Sequence, residues 1–153
     1  MQPHDLVTPR NASEWKAYHD IRRVVLFEAR GLFGVYDENH PDERAPNNHP
    51  KVLVYGDDPL GVVRIDIDGT VATLRRVAIR SDVQRRGHGR VLLQLAQLFA
   101  QESGCTSLAS FVAPDAVDFY RGFGFHIERQ QVTGPSGRES TFMTRKLVVP
   151  ATG

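Results

Sequence analysis

The chain of 153 residues has a single cysteine, Cys105. One cysteine excludes an internal disulfide and a cysteine-rich zinc site. No apolar run approaches the roughly 20 residues of a membrane-spanning helix. The opening MQPHDLVTPR lacks the apolar centre of a secretory signal, so a cytoplasmic protein is the expectation. Neither sign of charge dominates: 19 basic residues face 18 acidic ones, for a net charge of +1. That balance argues against a general nucleic-acid binder, which carries a strongly basic face. Neither nucleic acid nor a membrane is expected as a partner. There is no internal repeat and no shift of composition that would mark a boundary. With 41% hydrophobic and 24% charged residues, the chain reads as one domain over residues 1–153, long enough to bury a sizeable core.

Charge is nevertheless local, because arginines cluster around positions 75 to 90. The stretch Val77 to Arg90, VAIRSDVQRRGHGR, starts with the alternation of a strand. It then passes through a tight loop with Gly87 and Gly89 and runs into the apolar-periodic segment Val91 to Ser103. A strand feeding a helix through glycines leaves unpaired N–H groups and the positive end of the helix dipole exposed near residue 88. Glycine lets an anion approach them, and Arg85, Arg86 and Arg90 add charge, so a phosphate is the natural ligand. The spacing is not that of a P-loop, which needs Lys-Ser or Lys-Thr after the glycines. Nor is it a dinucleotide fingerprint, whose third glycine would fall on Leu92.

The rest of the chain supplies an α/β domain with a mixed sheet. Residues 1 to 10 read as a strand or extended lead-in. Asn11 and Glu14 form a capping-box pattern, and Trp15, Tyr18, Ile21 and Val25 share one face of a helix from about 12 to 30 that stops at Gly31. Residues 31 to 50 read as a long polar loop, with a short helix at its start. His40, His49, Asp37 and Glu38 within it match no metal-binding spacing, and no metal is expected. Strands follow at Lys51–Tyr55, Leu60–Ile67 and Val71–Ile79, joined by a turn at 56–59 and a hairpin at Asp68-Gly69. The helix after the central loop carries Leu92, Leu95, Ala96 and Phe99 on one face and ends at Gly104. A strand at Thr106–Val112 is expected parallel to Val71–Ile79. A helix at 114–122 and a strand pair, Phe125–Val132 and Thr141–Val149, complete the chain, with a mobile loop TGPSGRES between the last two. Cys105, between a helix cap and a strand, reads as a small packing residue.

Two motifs carry a family resemblance. Gln84-Arg85-Arg86-Gly87-His88-Gly89 fits Q/R-x-x-G-x-G/A and resembles the acetyl-CoA loop of the GCN5-related N-acetyltransferases (GNAT). Ala116-Val117-Asp118-Phe119-Tyr120-Arg121-Gly122-Phe123-Gly124-Phe125 is similar to a second segment of the same family. With the strand order between them, the resemblance spans roughly residues 51 to 149. It departs at Ala113, where the family often has an Asn that contacts the cofactor arm. The resemblance implies the GNAT acyl-CoA N-acyltransferase fold: a mostly antiparallel sheet flanked by helices and splayed after the central strand. It also implies an enzyme that moves an acetyl group from acetyl-CoA to a primary amine by direct attack in a ternary complex. The acceptor would be a small molecule and the protein a monomer or homodimer. The cofactor arm would pair with Val77, Ala78 and Ile79, and the pyrophosphate would rest on Gln84, Arg85, Arg86, Gly87, His88, Gly89 and Arg90. The Ile79 amide would polarise the thioester carbonyl. Tyr120 would be the acid for the departing thiolate.

Direct attack needs no enzyme nucleophile, but the amine must first lose a proton. The strand Val71–Ile79 contains no acid, which leaves Asp66, Glu28 or a chain of waters as the base. Arg64, Arg75 and Arg76 lie in the central hairpin. Strand alternation places Arg75 and Arg76 on opposite faces, and an inward guanidinium would suit a carboxylate or phosphate on the acceptor. The loops 37–50 and 133–140 are expected to shape the acceptor site. Two other readings of the motifs are a non-catalytic acyl-CoA sensor and an acetyltransferase acting on a protein N-terminus or lysine. A third is a nucleic-acid binder using the arginines from 75 to 90.

Overall fold

A computed structural model describes residues 3–133 and 138–148. One seven-stranded sheet runs through the molecule. Its strands are β1 (His4–Val7), β2 (Asn48–Tyr55), β3 (Asp58–Asp68), β4 (Val71–Ile79), β5 (Ser107–Val112), β6 (His126–Thr133) and β7 (Glu139–Lys146). They lie in the order β1-β2-β3-β4-β5-β7-β6. Every neighbouring pair is antiparallel except β4 and β5, which are parallel as expected. The connection between those two is α2 (His88–Glu102), and α3 (Val117–Gly122) follows β5.

Alternation of apolar side chains explains the layers. Leu53, Val63, Ile65, Ala72 and Leu74 project to one face, where Leu92, Leu93, Ala96 and Ala100 of α2 and Phe123 and Phe125 beyond α3 cover them. Val52, Val54, Val62 and Ala78 project to the other, against Tyr18 and Ile21 of α1 (Ala12–Arg22). Cys105 is fully buried in the α2-side core, as its reading as a packing residue requires, and burial pushes its thiol up.

The helix expected over 12–30 is present in three pieces. Asn11 caps it, its side chain accepting from Glu14 N–H at 2.9 Å. After Arg22 the coil widens to a π turn over Arg23–Phe27 and closes with a 3-10 turn over Glu28–Arg30. Gly31, at φ 80°, ends it, and Leu32 N–H donates back to the Phe27 carbonyl. No helix forms at the start of residues 31–50. A 3-10 turn occupies Pro41–Arg44 instead, and β2 begins at Asn48, three residues before the expected Lys51. The turn expected at 56–59 is tighter, since Tyr55 pairs directly with Asp58. The last expected strand ends at Lys146, before the expected Val149, which lies outside the described residues together with residues 134–137 of the loop 133–140; Glu139 and Ser140 of that loop already belong to β7.

Two features of β4 shape the site. Its pairing with β5 covers only Val71–Leu74 against Ser107–Ser110. Beyond that point β4 stays with β3 and β5 stays with β7, so the sheet splits. The second feature is a bulge: Arg64 pairs with Arg75 and Val62 with Ala78, which sets Arg76 and Val77 opposite the single residue Val63. Arg76 takes φ 57° there. The expectation that Arg75 and Arg76 face opposite ways is therefore wrong. Arg75 donates to Asp66 and Arg76 lies over Phe27, so both guanidinium groups end on the α1 side.

Candidate functional site

The split opens into a cleft of about 930 Å³. One wall is the end of β4, with Val77, Ala78 and Ile79; the floor carries Gln84, Arg85, Gly87, His88, Gly89 and Arg90. Tyr120 of α3 faces the same space. The structure thus brings together all of these sequence-identified residues; of the loop residues named, Arg86 does not line the cleft.

Backbone direction follows from the ladder. Arg80 N–H donates to the Leu60 carbonyl at 2.7 Å, so Arg80 and Leu60 form a hydrogen-bonded pair. The next pair, Ile79 with Gly61, is then the non-hydrogen-bonded kind, and the Ile79 N–H points away from β3 into the split. The Ile79 carbonyl, on the same edge, accepts from the Gln84 side chain at 2.9 Å. Gly61 permits this close pairing: a Cβ there would stand 2.6 Å from Ile79 Cδ1 and 2.9 Å from the Ala78 carbonyl oxygen.

The loop between β4 and α2 is held from below. The Arg80 guanidinium bonds Asp58, Asp82 and the Pro59 carbonyl. Arg85 at φ 64° and Gly87 at φ 87° place one left-handed residue on either side of Arg86, a backbone pattern of the kind that turns successive N–H groups toward one side. No side chain caps α2 and no acid sits in its first turn, so the N–H groups there are left for a ligand. Gly89 packs against α3, where a Cβ would meet Phe119 Cζ at 3.2 Å. His88 shares a hydrogen bond of 3.0 Å with His4.

Tyr120 sits at the fork of the split, its ring edge-on to Phe119 and Phe125. Burial pushes its phenol up to about 12, against a smaller opposing effect of the Ser110 hydroxyl. Ser110 marks the last β4–β5 pair and donates to the Leu74 carbonyl at 3.4 Å.

Beyond Ile79 on the α1 side, the cleft is lined by Val25, Leu26 and Phe27 of the π turn, with Arg30, Leu32 and Arg76. None of residues 37–50 lines it. That loop borders a separate groove of about 530 Å³ with Trp15 and His19, so the expectation that it shapes the cleft fails. Of the second loop, Arg138, Glu139 and Ser140 do reach the cleft. Neither Asp66 nor Glu28 lines it; Asp66 is held by Arg64 and Arg75, and Glu28 by Arg23. Among the described residues the carboxylates that do are Asp115 and Glu139. No cluster of His, Cys, Asp and Glu among the described residues could hold a metal ion, and no helix among them is long and apolar enough to cross a membrane.

Beneath the α1 side lies a buried ion network that the sequence does not announce. Glu43 pairs with Arg22 and, at 3.2 Å, with Arg64, and accepts from the Tyr18 hydroxyl at 2.9 Å. Burial raises the Glu43 carboxyl, but the Arg22 charge and these hydrogen bonds outweigh it and hold the group below its ordinary value. Arg64 continues to Asp66 at 2.8 Å, and Asp66 to Arg75 at 2.9 Å. A Glu in a polar loop reads as solvated, and only the tertiary fold brings it under α1.

The profile of the acetyltransferase (GNAT) family matches residues 14–125. A Bacillus subtilis (strain 168) protein classed as an acetyltransferase is 23% identical over 113 residues, covering 73% of this chain and 76% of its own. Among solved structures, one described as an N-acetyltransferase of Lactobacillus plantarum gives a TM-score of 0.79 at 21% identity, over 96% of this chain and 100% of that one. The PaiA N-acetyltransferase of Thermoplasma acidophilum, in complex with coenzyme A, gives 0.71 at 14% identity, over 94% and 99%. At such identities these structures establish the fold; the profile match extends across most of the sequence, and the chain belongs to the acetyltransferase (GNAT) family.

Proposed function

We propose that the protein transfers the acetyl group of acetyl-CoA to a primary amine of a small molecule, by direct attack while both are bound. The observation that carries this reading is the split itself. It gathers a strand edge with a free N–H at Ile79, a concave loop of N–H groups at Arg85–Arg90 and the buried hydroxyl of Tyr120 around one cleft. These residues fit coenzyme A by their chemistry: the strand edge suits its amide-bearing arm and the uncapped start of α2 suits its pyrophosphate. The coenzyme A complex of the Thermoplasma relative supports the assignment. When bound, acetyl-CoA supplies an acyl group activated as a thioester.

The chain's own part is positioning and electrostatics. Residues Val77–Ile79 align the arm, and the Ile79 N–H donates to the carbonyl oxygen as its charge grows. Arg85, Arg90 and the first turn of α2 hold the phosphates. Arg86, outside the cleft, adds only long-range charge. Tyr120, with a phenol near 12, keeps its proton throughout the neutral range. A phenol that keeps its proton is a hydrogen-bond donor, and Tyr120 serves as one to the departing sulfur. Val25, Leu26 and Phe27 of the π turn give the acceptor side an apolar wall. Titration calorimetry with coenzyme A, followed by an amine screen read by coenzyme A release, tests the proposal. A folded protein that does not bind coenzyme A overturns it.

A further inference from the structure

We propose that the acceptor amine carries a carboxylate, and that Arg76 is the residue that selects it. This rests on the acetyl-transfer reading above and narrows its substrate class to amines of the amino-acid type.

Arg64 and Arg75 are already engaged. The chain of contacts Arg22–Glu43–Arg64–Asp66–Arg75 holds three guanidinium groups on two carboxylates. Arg76 adds a fourth cation beside them, and among the described residues no carboxylate pairs with it within 4 Å. Four positive charges against two negative ones leave the cluster with a net charge of +2, and among the described residues Arg76 is its one guanidinium without a carboxylate contact. Arg22 Nε, also buried there, finds no hydrogen-bond acceptor. Burial, and then the charges of Arg22 and Arg64, pull the Arg76 guanidinium below its ordinary value. A cation in that setting is unfavourable unless an anion arrives, and a carboxylate matches the guanidinium fork with two parallel hydrogen bonds.

Position gives the anion its place. Arg76 lines the cleft three residues before Ile79, at the end away from the phosphate loop 84–90, so the cofactor's own charges are met elsewhere. Its neighbours on that side are Arg30 and the apolar Val25, Leu26, Phe27 and Leu32, while the cleft's carboxylates, Asp115 and Glu139, belong to the β5–β7 wall. The guanidinium rests over the Phe27 ring at 5.4 Å, which fixes its direction. The backbone does not ask for arginine: at φ 57° a Gly or Asn would fit with less strain. A side chain held at that cost, unpaired and facing a cleft, is explained by a ligand that it meets there.

The test uses matched pairs of primary amines in the full-length protein with acetyl-CoA: L-phenylalanine against L-phenylalaninamide, L-leucine against L-leucinamide, and β-alanine against β-alaninamide. Wild type should favour the acid of at least one pair in kcat/KM. In Arg76→Asn, which suits the left-handed backbone, the acid-to-amide ratio should fall about 10- to 100-fold, mostly through KM because the contact is made before and during reaction. Arg76→Lys keeps charge without the fork and should recover part of the ratio. If Arg76→Asn does not fold by thermal melt, the wild-type ratio and Arg76→Lys decide. With acetyl-CoA shown to bind, an acid-to-amide ratio near one in wild type, a ratio unmoved by Arg76→Asn, or no turnover of any acid overturns the assignment while leaving the cofactor reading standing. Absence of acetyl-CoA binding overturns the cofactor reading and this assignment together.

Discussion

Replacing Tyr120 with Phe isolates one atom. The ring keeps its edge contacts to Phe119 at 5.6 Å and Phe125 at 5.2 Å, and Ser110 keeps its bond to the Leu74 carbonyl. Stability should therefore change by less than about 1 kcal/mol. The lost interaction is a hydrogen bond to a sulfur that becomes anionic only as the C–S bond breaks. A bond to a charged partner is worth about 1.5–3 kcal/mol, which is about a 10- to 150-fold fall in kcat. Because the contact strengthens only in the transition state, acetyl-CoA affinity should stay within about threefold. Steady-state coenzyme A release with a saturating amine, paired with calorimetric Kd, separates the two. The phenol near 12 also fixes the pH behaviour: Tyr120 does not ionise below pH 9, so no falling limb between pH 8 and 9 belongs to it. Three results would refute the reasoning: Tyr120→Phe within twofold of wild type in kcat, an equal loss in Kd, or an alkaline limb that the substitution abolishes.

Gly61→Ala sets a Cβ 2.9 Å from the Ala78 carbonyl, which sits in a ladder and cannot swing away. A loss of about 1–3 kcal/mol is expected, seen as a Tm lower by about 3–10 °C; an unchanged Tm counts against the close pairing at Ile79. Gly89→Ala gains helix propensity of about 1 kcal/mol against a 3.2 Å contact with the half-exposed, movable Phe119. Its Tm should hold while coenzyme A affinity weakens, and undiminished affinity would remove the first turn of α2 from the site. Burial lowers the pKa of His4, His19 and His49, aided by the charges of His88, Arg22 and Lys51 respectively. The unfolded chain then binds more protons, so stability is full above the ordinary value of 6.5 and falls as pH drops through it. Melts should show a lower Tm at about pH 5.5 than at about pH 7.5, and a flat or rising profile on acidification contradicts the burial of these rings.

What was legible in the sequence is what local chemistry decides. Asn11, Gly31 and Gly104 ended or began helices where their conformational preferences say they should. Asp68-Gly69 closed its hairpin with Asp68 opposite Val71. The turn that opens α2 was legible because Gly87 and Gly89 fall between a strand pattern and a helix pattern. The splay of the sheet came from the family resemblance, and nothing in the alternation of β4 or β5 announces it. Three features stayed hidden because their causes lie far away in sequence. Glu43 becomes buried through Arg22 and Arg64, 21 residues away on either side. β2 starts early because Asn48, His49 and Pro50 find partners on β3, although Pro and Asn favour turns. The π turn at Arg23–Phe27 leaves no mark that distinguishes it from ordinary helix, yet three of its residues line the cleft.

The bulge at Arg76 shows why strand periodicity misplaced that side chain. With Arg76 removed, the ladder closes without any change of register: Arg75 stays opposite Arg64, Val77 meets Val63, and Ala78 stays opposite Val62. Alternation from Leu74 to Ile79 is then regular, with Val77 and Ile79 on the α2 side as observed. Arg76 is thus an extra residue, extruded from pairing, and no cross-strand neighbour dictates its direction. The extrusion leaves the Ile79 N–H aimed into the split and sends a guanidinium to the α1 side of the same cleft. A strand of strict period two at these positions would place at most one of Arg75 and Arg76 on that side. The bulge lets Arg75 neutralise Asp66 while Arg76 remains available to the cleft, and this division of labour is what the acid-to-amide ratio measures.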